Sequence, residues 1–158
     1  MAQESGPSLI TSNRKARHDY EILETFEAGL VLTGTEVKSL RAGKASLAEA
    51  YARLRGDEVW LIGAHIPEYS HGNRENHEPT RARKLLLHRR EIERLRGQIE
   101  QKGLTLVPLR LYWSKGRAKL EFALGRGKKH WDKREDTAKR EAQRDMDRAL
   151  SRRTKGDE

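Results

Sequence analysis

The sequence predicts a small, mainly β domain with packed helices, closed into an antiparallel barrel of about six strands and followed by a basic tail. Three observations carry that prediction. Ala118, Leu120, Phe122 and Leu124 alternate with Arg117, Lys119, Glu121 and Ala123 behind a Lys115-Gly116 turn, which is the pattern of a half-buried hairpin. About six such strands in a chain of 158 residues cannot form an open sheet without exposed edges, and closure removes them. Beyond Gly125 the apolar side chains fall to Trp131, Ala138, Ala142, Met146, Ala149 and Leu150. That is too little burial to offset the entropy of ordering a tail on its own. The expected organisation is a flexible N-terminus over residues 1–12, a barrel over 13–125 and a tail over 126–158.

The first strand is expected at Tyr20–Phe26, with Tyr20, Ile22 and Phe26 on one face. Ala28-Gly29 is read as a turn into Leu30-Val31-Leu32. Thr33-Gly34-Thr35-Glu36 matches a capping box, and Val37 and Leu40 are three apart, so a short helix should run to about Gly43. Tyr51–Arg55 and Val59–Ile66 flank Gly56-Asp57 as a hairpin. Residues 67–80 carry Pro67, Gly72, Asn73, Asn76 and Pro79 and read as a long loop. Ile92, Leu95 and Ile99 share one face of a helix over Glu91–Lys102 that Gly103 stops. Leu104–Trp113 and Arg117–Leu124 form the last hairpin, where Pro108 cannot donate to a ladder and marks an edge or bulge.

Charge points to the partner. The chain has 33 Lys+Arg against 24 Asp+Glu, a formal charge of +9 and a pI near 10.0, which suits a polyanion. Residues 126–158 hold 12 Lys/Arg and 8 Asp/Glu, and residues 1–125 hold 21 and 16. With no cysteine there is no disulfide framework, no thiolate zinc site and no thiol nucleophile, and a cytoplasmic location is favoured. No apolar run approaches the ~18 residues of a membrane span, and the N-terminus lacks the layout of a signal peptide.

No enzyme motif holds. Gly125-Arg-Gly127-Lys-Lys-His130 lacks the third glycine and the βαβ setting of a dinucleotide fingerprint. Gly43-Lys44-Ala45-Ser46 has its hydroxyl one residue late for a P-loop. His71 and His77, with Glu75 and Glu78 nearby, do not meet a zinc spacing, so they read as solvated loop residues and no metal or cofactor is expected. Nearly every carboxylate sits beside Lys or Arg, which favours solvated ion pairs over a catalytic dyad.

The basic residues are more informative. Asn13, Arg14, Lys15, Arg17, His18 and Tyr20 mix cations, an amide and rings ahead of the first strand. Lys38, Arg41 and Lys44 recur every three residues along the short helix. Arg81, Arg83 and Lys84 precede Leu85-Leu86-Leu87. Any one cluster is an ordinary solvated surface. Three around one small barrel favour a polyanion groove, where cations meet phosphate and rings stack on bases. In the tail, Lys128, Lys129, Lys133 and Arg134 surround His130, Trp131 and Asp132. Glu135–Lys139 and Asp136–Arg140 are helix-favouring pairs, and Ala138, Ala142, Met146 and Ala149/Leu150 make one stripe. Such a tail is expected to be disordered when free and to fold against an anionic wall. Its stripe is mostly Ala, too slight for a membrane-surface helix.

Five stretches together resemble one family. They are Asn13-Arg-Lys-Ala-Arg-His-Asp-Tyr20, Phe26-Glu-Ala-Gly-Leu30, Glu36-Val-Lys-Ser-Leu-Arg-Ala-Gly-Lys44, Pro79-Thr-Arg-Ala-Arg-Lys-Leu-Leu-Leu87, and Gly127-Lys-Lys129 followed by Asp132-Lys-Arg134. In this order they resemble the SsrA-binding proteins (small protein B), bacterial partners of transfer-messenger RNA, from about Asn13 to Leu150. The resemblance implies a barrel related to the oligonucleotide-binding fold. It implies binding of the tRNA-like part of transfer-messenger RNA and its delivery, with elongation factor Tu, to stalled ribosomes. It also implies a tail that enters the decoding centre and the empty mRNA channel. Asn13, Glu27, Lys38 and Arg41 would then lie on the RNA-binding side, with Arg14, Lys15, Arg17, Tyr20 and Lys44 as neighbours. Lys128, Lys129, Asp132, Lys133 and Arg134 match the tail motif, and Met146 and Leu150 fall to its anchoring stripe by helical spacing. Where the family commonly has His or Tyr, this chain has Trp131, which keeps a stacking ring and loses a titratable or hydroxyl group. A permanent ribosomal component and an enzyme acting on RNA are the competing readings, and the second lacks a nucleophile, a metal set or an acid–base pair.

Overall fold

The computed structural model describes residues 8–70, 76–128 and 138–149. Contacts divide the chain after Gly127 into two units. The first contains β1 (Ser8–Ser12), α1 (Ala16–Asp19), β2 (Tyr20–Leu30), α2 (Gly34–Arg41), β3 (Tyr51–Arg55), β4 (Glu58–Ile62), β5 (Arg83–Leu86), α3 (Arg89–Lys102), β6 (Thr105–Ser114) and β7 (Arg117–Gly127). All the strand pairings are antiparallel, in the order β1-β6-β3-β4-β5-β2-β7, and a further β6–β7 pairing closes the sheet into a ring. Six strands make the ring, the number expected, although β5 stands in it in place of a separate strand over residues 30–32, and β1 lies beside β6.

Alternation places the core. Val59 and Leu61 of β4, Leu85 of β5 and Leu120, Phe122 and Leu124 of β7 point inward and are buried. Phe26 stacks on its cross-strand partner Phe122, with centroids 5.6 Å apart. Helix α3 packs on this core through buried Leu95 and half-buried Ile92 and Ile99, the stripe read from the sequence. Gly103 ends it in the left-handed region at φ 63°. Arg96 fastens the helix to the β3–β4 turn by donating to the Gly56 carbonyl and, at 2.8 Å, to Asp57. The other side of β6 is covered too: Val107 and Leu109 pack with Ala16 of α1 and with Tyr20 and Ile22.

Turns follow the backbone demands. Lys115 and Gly116 both have positive φ, the geometry that matches a tight hairpin to strand twist. The register shifts between Pro108 and Arg110, so the proline sits at a bulge. There the Leu109 carbonyl accepts the Asn13 backbone N–H at 2.7 Å and the Pro108 carbonyl accepts the Asn13 side-chain amide at 3.1 Å.

Three expectations need correction. Ser8–Ser12, expected as part of a flexible end, pairs with β6. Ala28-Gly29 is no turn: β2 runs on to Leu30 because Ala28 is core and Gly29 pairs with both Lys119 and Leu86, carrying the sheet from β7 across to β5. Strand β4 stops at Ile62 rather than Ile66 because Gly63 turns out of the sheet at φ 79°, after which His65 makes an isolated bridge to Ser46.

In the second unit, residues 138–149 are helical and all exposed, including the Met146 side of the stripe.

Candidate nucleic-acid interface

Helix α2 organises the first group of candidate residues. Thr33 caps it: its side chain accepts the Glu36 N–H while the Glu36 carboxylate accepts the Thr33 N–H at 2.8 Å. A helix of this length buries one stripe, and here that stripe holds Glu36, Ser39 and Leu40. Ser39 donates to the Pro67 carbonyl at 2.7 Å. The remaining face carries exposed Lys38 and Arg41, and exposed Lys44 follows Gly43 at φ 76°. The Lys38 ammonium lies 5.5 Å from the centre of the Tyr69 ring, a cation–π contact.

The buried end of that helix is electrostatic. Glu36 is closed off from solvent and accepts from Arg81 at 2.5 Å and from Arg83. Burial pushes its carboxyl upward, but the hydrogen bonds from Arg81, the Thr33 amide and Arg83 outweigh that push and hold it at about 2. Arg83 is itself wholly buried and directs its other donors to the Ala64 and Pro79 carbonyls. Arg81 and Arg83 therefore do not form a polyanion-facing cluster, as the sequence suggested; they hold the loop after β4 and strand β5 against α2. Lys84 points the other way and lies 3.4 Å from Glu58.

His77 also departs from expectation. It is buried, not solvated; its Nε2–H donates to the Ile66 carbonyl at 2.8 Å and its Nδ1 accepts from the Thr35 hydroxyl at 2.9 Å. With both nitrogens engaged it has no lone pair for a metal, and no group of metal-ligating side chains occurs among the described residues. His71 and Glu75 lie outside the described residues.

The second group surrounds α1. Arg14, Lys15 and Arg17 are exposed, and Asn13 and Tyr20 are half-buried. Asn13 is tied to the β6 bulge and Tyr20 packs on Ala16, so both are also structural. A depression of about 220 Å³ brings Asn13, Lys15 and Tyr20 together with Glu49 and Tyr51. Glu27 lies elsewhere, on the exposed face of β2, where it accepts the Tyr112 hydroxyl hydrogen. Burial and this carboxylate acceptor push the Tyr112 phenol upward. Glu27 lines an open groove of about 800 Å³ with Val37, Leu86, Trp113, Arg117 and Lys119. Of the candidates, Asn13, Lys15 and Tyr20 meet in the depression beside α1 and Glu27 alone lines the groove beside α2, while Arg14, Arg17, Lys38, Arg41 and Lys44 line neither. The groove residues Trp113, Arg117 and Lys119 had only one sequence signal, the outward phase of the last hairpin.

Of the tail candidates, Lys128 is half-buried and Met146 is 58% exposed. Lys129, Trp131, Asp132, Lys133, Arg134 and Leu150 lie outside the described residues.

The family model described as SmpB protein matches residues 10–152. The chain belongs to the SmpB family. It is 62% identical over 156 residues to the SsrA-binding protein of Acidothermus cellulolyticus, covering 99% of this chain and 98% of that one. It is 60% identical to the SsrA-binding protein of Salinispora arenicola over the same length and shares. A solved structure described as "tmRNA-SmpB: a journey to the center of the bacterial ribosome" is similar at 55% identity and a TM-score of 0.63, covering 76% of this chain and 85% of that one. In this SmpB-family chain the stretches that carried the resemblance divide by direction. Glu36, Ser39 and Arg83 face inward and build the scaffold, half-buried Arg81 joins them through Glu36, and Lys38, Arg41 and Lys44 face solvent.

Proposed function

We propose that this protein is a non-enzymatic RNA-binding adaptor of trans-translation. It binds the tRNA-like domain of transfer-messenger RNA and delivers it to stalled ribosomes in the cytoplasm. The observation that carries the reading is near-full-length similarity to SsrA-binding proteins combined with a face of α2 that carries Lys38 and Arg41 outward over a buried ion-pair anchor, with exposed Lys44 just past the helix end. Cations on a rigid helix contribute phosphate contacts at low ordering cost. We assign Asn13, Arg14, Lys15, Arg17, Tyr20 and Glu27 to the same RNA-binding role. Elongation factor Tu is then an indirect partner, sharing the RNA.

The tail, with Lys128, Lys129, Trp131, Asp132, Lys133 and Arg134, is read as the ribosome-binding segment that enters the decoding centre and mRNA channel. Met146 and Leu150 would supply its apolar contact there. The all-exposed helix over residues 138–149 supports this reading, since its stripe has too little apolar area to act without a partner surface.

The test is recovery of RNA bound to the full chain in cells, followed by sequencing. Enrichment of one tRNA-like transcript is expected; bulk ribosomal RNA alone would point to a ribosomal component. Truncation after Gly127 should leave binding of the tRNA-like RNA nearly intact and abolish tagging of stalled chains, and tagging by the truncated protein would sink the tail assignment.

A further inference from the structure

The outward face of β3, β4 and β5 touches the two depressions only at its ends, through Tyr51 at the rim of the smaller one and Leu86 at the rim of the larger. Register aligns a row across it: Arg53 of β3 pairs with Trp60 of β4, and Trp60 pairs with Lys84 of β5. A cation thus flanks the indole on either side, and the row spans roughly 10 Å at ordinary strand spacing. Trp60 is half-buried, Arg53 is exposed and Lys84 is 41% exposed at its side chain. Glu58 holds the row in place. One carboxylate oxygen accepts the Trp60 indole N–H at 3.1 Å, and the other lies 3.4 Å from the Lys84 ammonium. Tyr51, 51% exposed, occupies the same face one pleat along, opposite Ile62. Arg55 stands opposite Glu58, so this face sets Arg53, Arg55 and Lys84 against one carboxylate.

We propose that this face is a second RNA contact, which takes a single-stranded or unstacked nucleotide with its base on Trp60 and its flanking phosphates on Arg53 and Lys84. The chemistry fits one class of occupant. An apolar protein surface would leave Arg53 and Arg55 facing it without counter-charges, whereas phosphates supply them. A pinned ring between two cations is a stacking platform with an electrostatic guide on each side. Tyr51 also connects the two regions: it lines the depression with Asn13, Lys15 and Tyr20, so a strand leaving that depression meets Tyr51 first and Trp60 next. The proposal deepens the RNA-adaptor reading and rests on it for the class of partner.

The test uses the full chain, a fluorescein-labelled oligoadenylate of roughly ten nucleotides and a same-length RNA duplex. Arg53→Gln and Trp60→Leu should each raise Kd for oligoadenylate about tenfold. Trp60→Tyr should restore most of the affinity, and Arg53→Gln should also flatten the salt dependence. Duplex binding should change much less. Arg53 is exposed, so its variant keeps the fold and the test survives if Trp60→Leu does not. Unchanged oligoadenylate affinity in Arg53→Gln, or equal losses for oligoadenylate and duplex, would overturn the stacking site. Failure of the parent protein to bind a folded tRNA-like RNA would instead overturn the adaptor reading, so the two failures are distinguishable.

Discussion

Arg83 donates its Nε–H to the Glu36 carboxylate with both side chains shut away from solvent. The pairing joins residues 47 positions apart and locks α2 against the start of β5. A buried pair of this kind adds little net stability over a well-packed apolar pair, because each charge loses its hydration. Its removal is another matter. Glu36→Gln leaves a buried guanidinium with no counter-charge, and the expected loss is about 3–5 kcal/mol in urea unfolding. A loss below about 1 kcal/mol would mean that water or a neighbouring carboxylate replaces Glu36.

The same carboxylate sets an acid limit. Its folded value of about 2 lies below the ordinary 4.5, so the native state holds the ionised form more tightly than the unfolded chain does. The stabilisation is therefore complete above pH 4.5 and is lost as pH falls through about 2. The shift corresponds to roughly 3 kcal/mol. Unfolding free energies measured from about pH 5 downward should fall along this window, and the fall should be smaller in Glu36→Gln. Parallel slopes would assign the acid sensitivity to other carboxylates.

Thr33 offers a local check on the same helix. Thr33→Ala removes the cap from the Glu36 N–H and should cost about 1 kcal/mol in thermal unfolding, whereas Thr33→Ser should cost much less.

Two left-handed glycines separate strain from crowding. At Gly63, φ is 79° and a Cβ would stand 2.5 Å from the Glu49 carbonyl oxygen. At Gly43, φ is 76° and the space is open. Gly43→Ala should cost about 1 kcal/mol from backbone conformation alone. Gly63→Ala should cost at least about 2 kcal/mol, because the Glu49–Ala50 backbone must also shift. Equal costs would mean that the loop yields freely.

The legibility of the sequence follows the range of the interactions. The Thr33–Glu36 box, the Ile92-Leu95-Ile99 face and the Lys115-Gly116 turn are set within one or two turns of chain, and each appears where its residues indicate. The Pro108 bulge was legible because proline withdraws a donor wherever it sits. Directions of side chains set by distant partners were not. Arg81-Ala-Arg83-Lys84 reads as a uniform basic run, yet Arg83 turns inward and Lys84 outward because a strand alternates and Glu36 waits on another element. Glu36 itself looked like a capping residue and is also the counter-ion of two arginines. Ala28-Gly29 looked like a turn because small residues are ambiguous until the strand crossing them, here β5, is known. Among the candidate site residues, the cationic character of α2 was legible, while the dual role of Asn13, tied to the Pro108 carbonyl, needed the bulge geometry.

That division between inward and outward cations predicts different phenotypes for neighbouring motifs. Lys38→Ala and Arg41→Ala remove exposed charges from a capped helix, so unfolding should barely change. Affinity for the tRNA-like RNA should fall in each, and the log–log salt slope should flatten by about 0.7–0.9 for each phosphate that the variant leaves unneutralised. Arg83→Ala should do the reverse: it strips the partner from buried Glu36 and lowers stability by about 3–5 kcal/mol, while its RNA affinity, measured where the protein stays folded, keeps the parent salt slope. Gel-shift titrations across a salt series, paired with urea melts of the same preparations, read both quantities. A flattened slope in Arg83→Ala would place that arginine on the RNA after all, and an unchanged slope in both Lys38→Ala and Arg41→Ala would move the interface off α2.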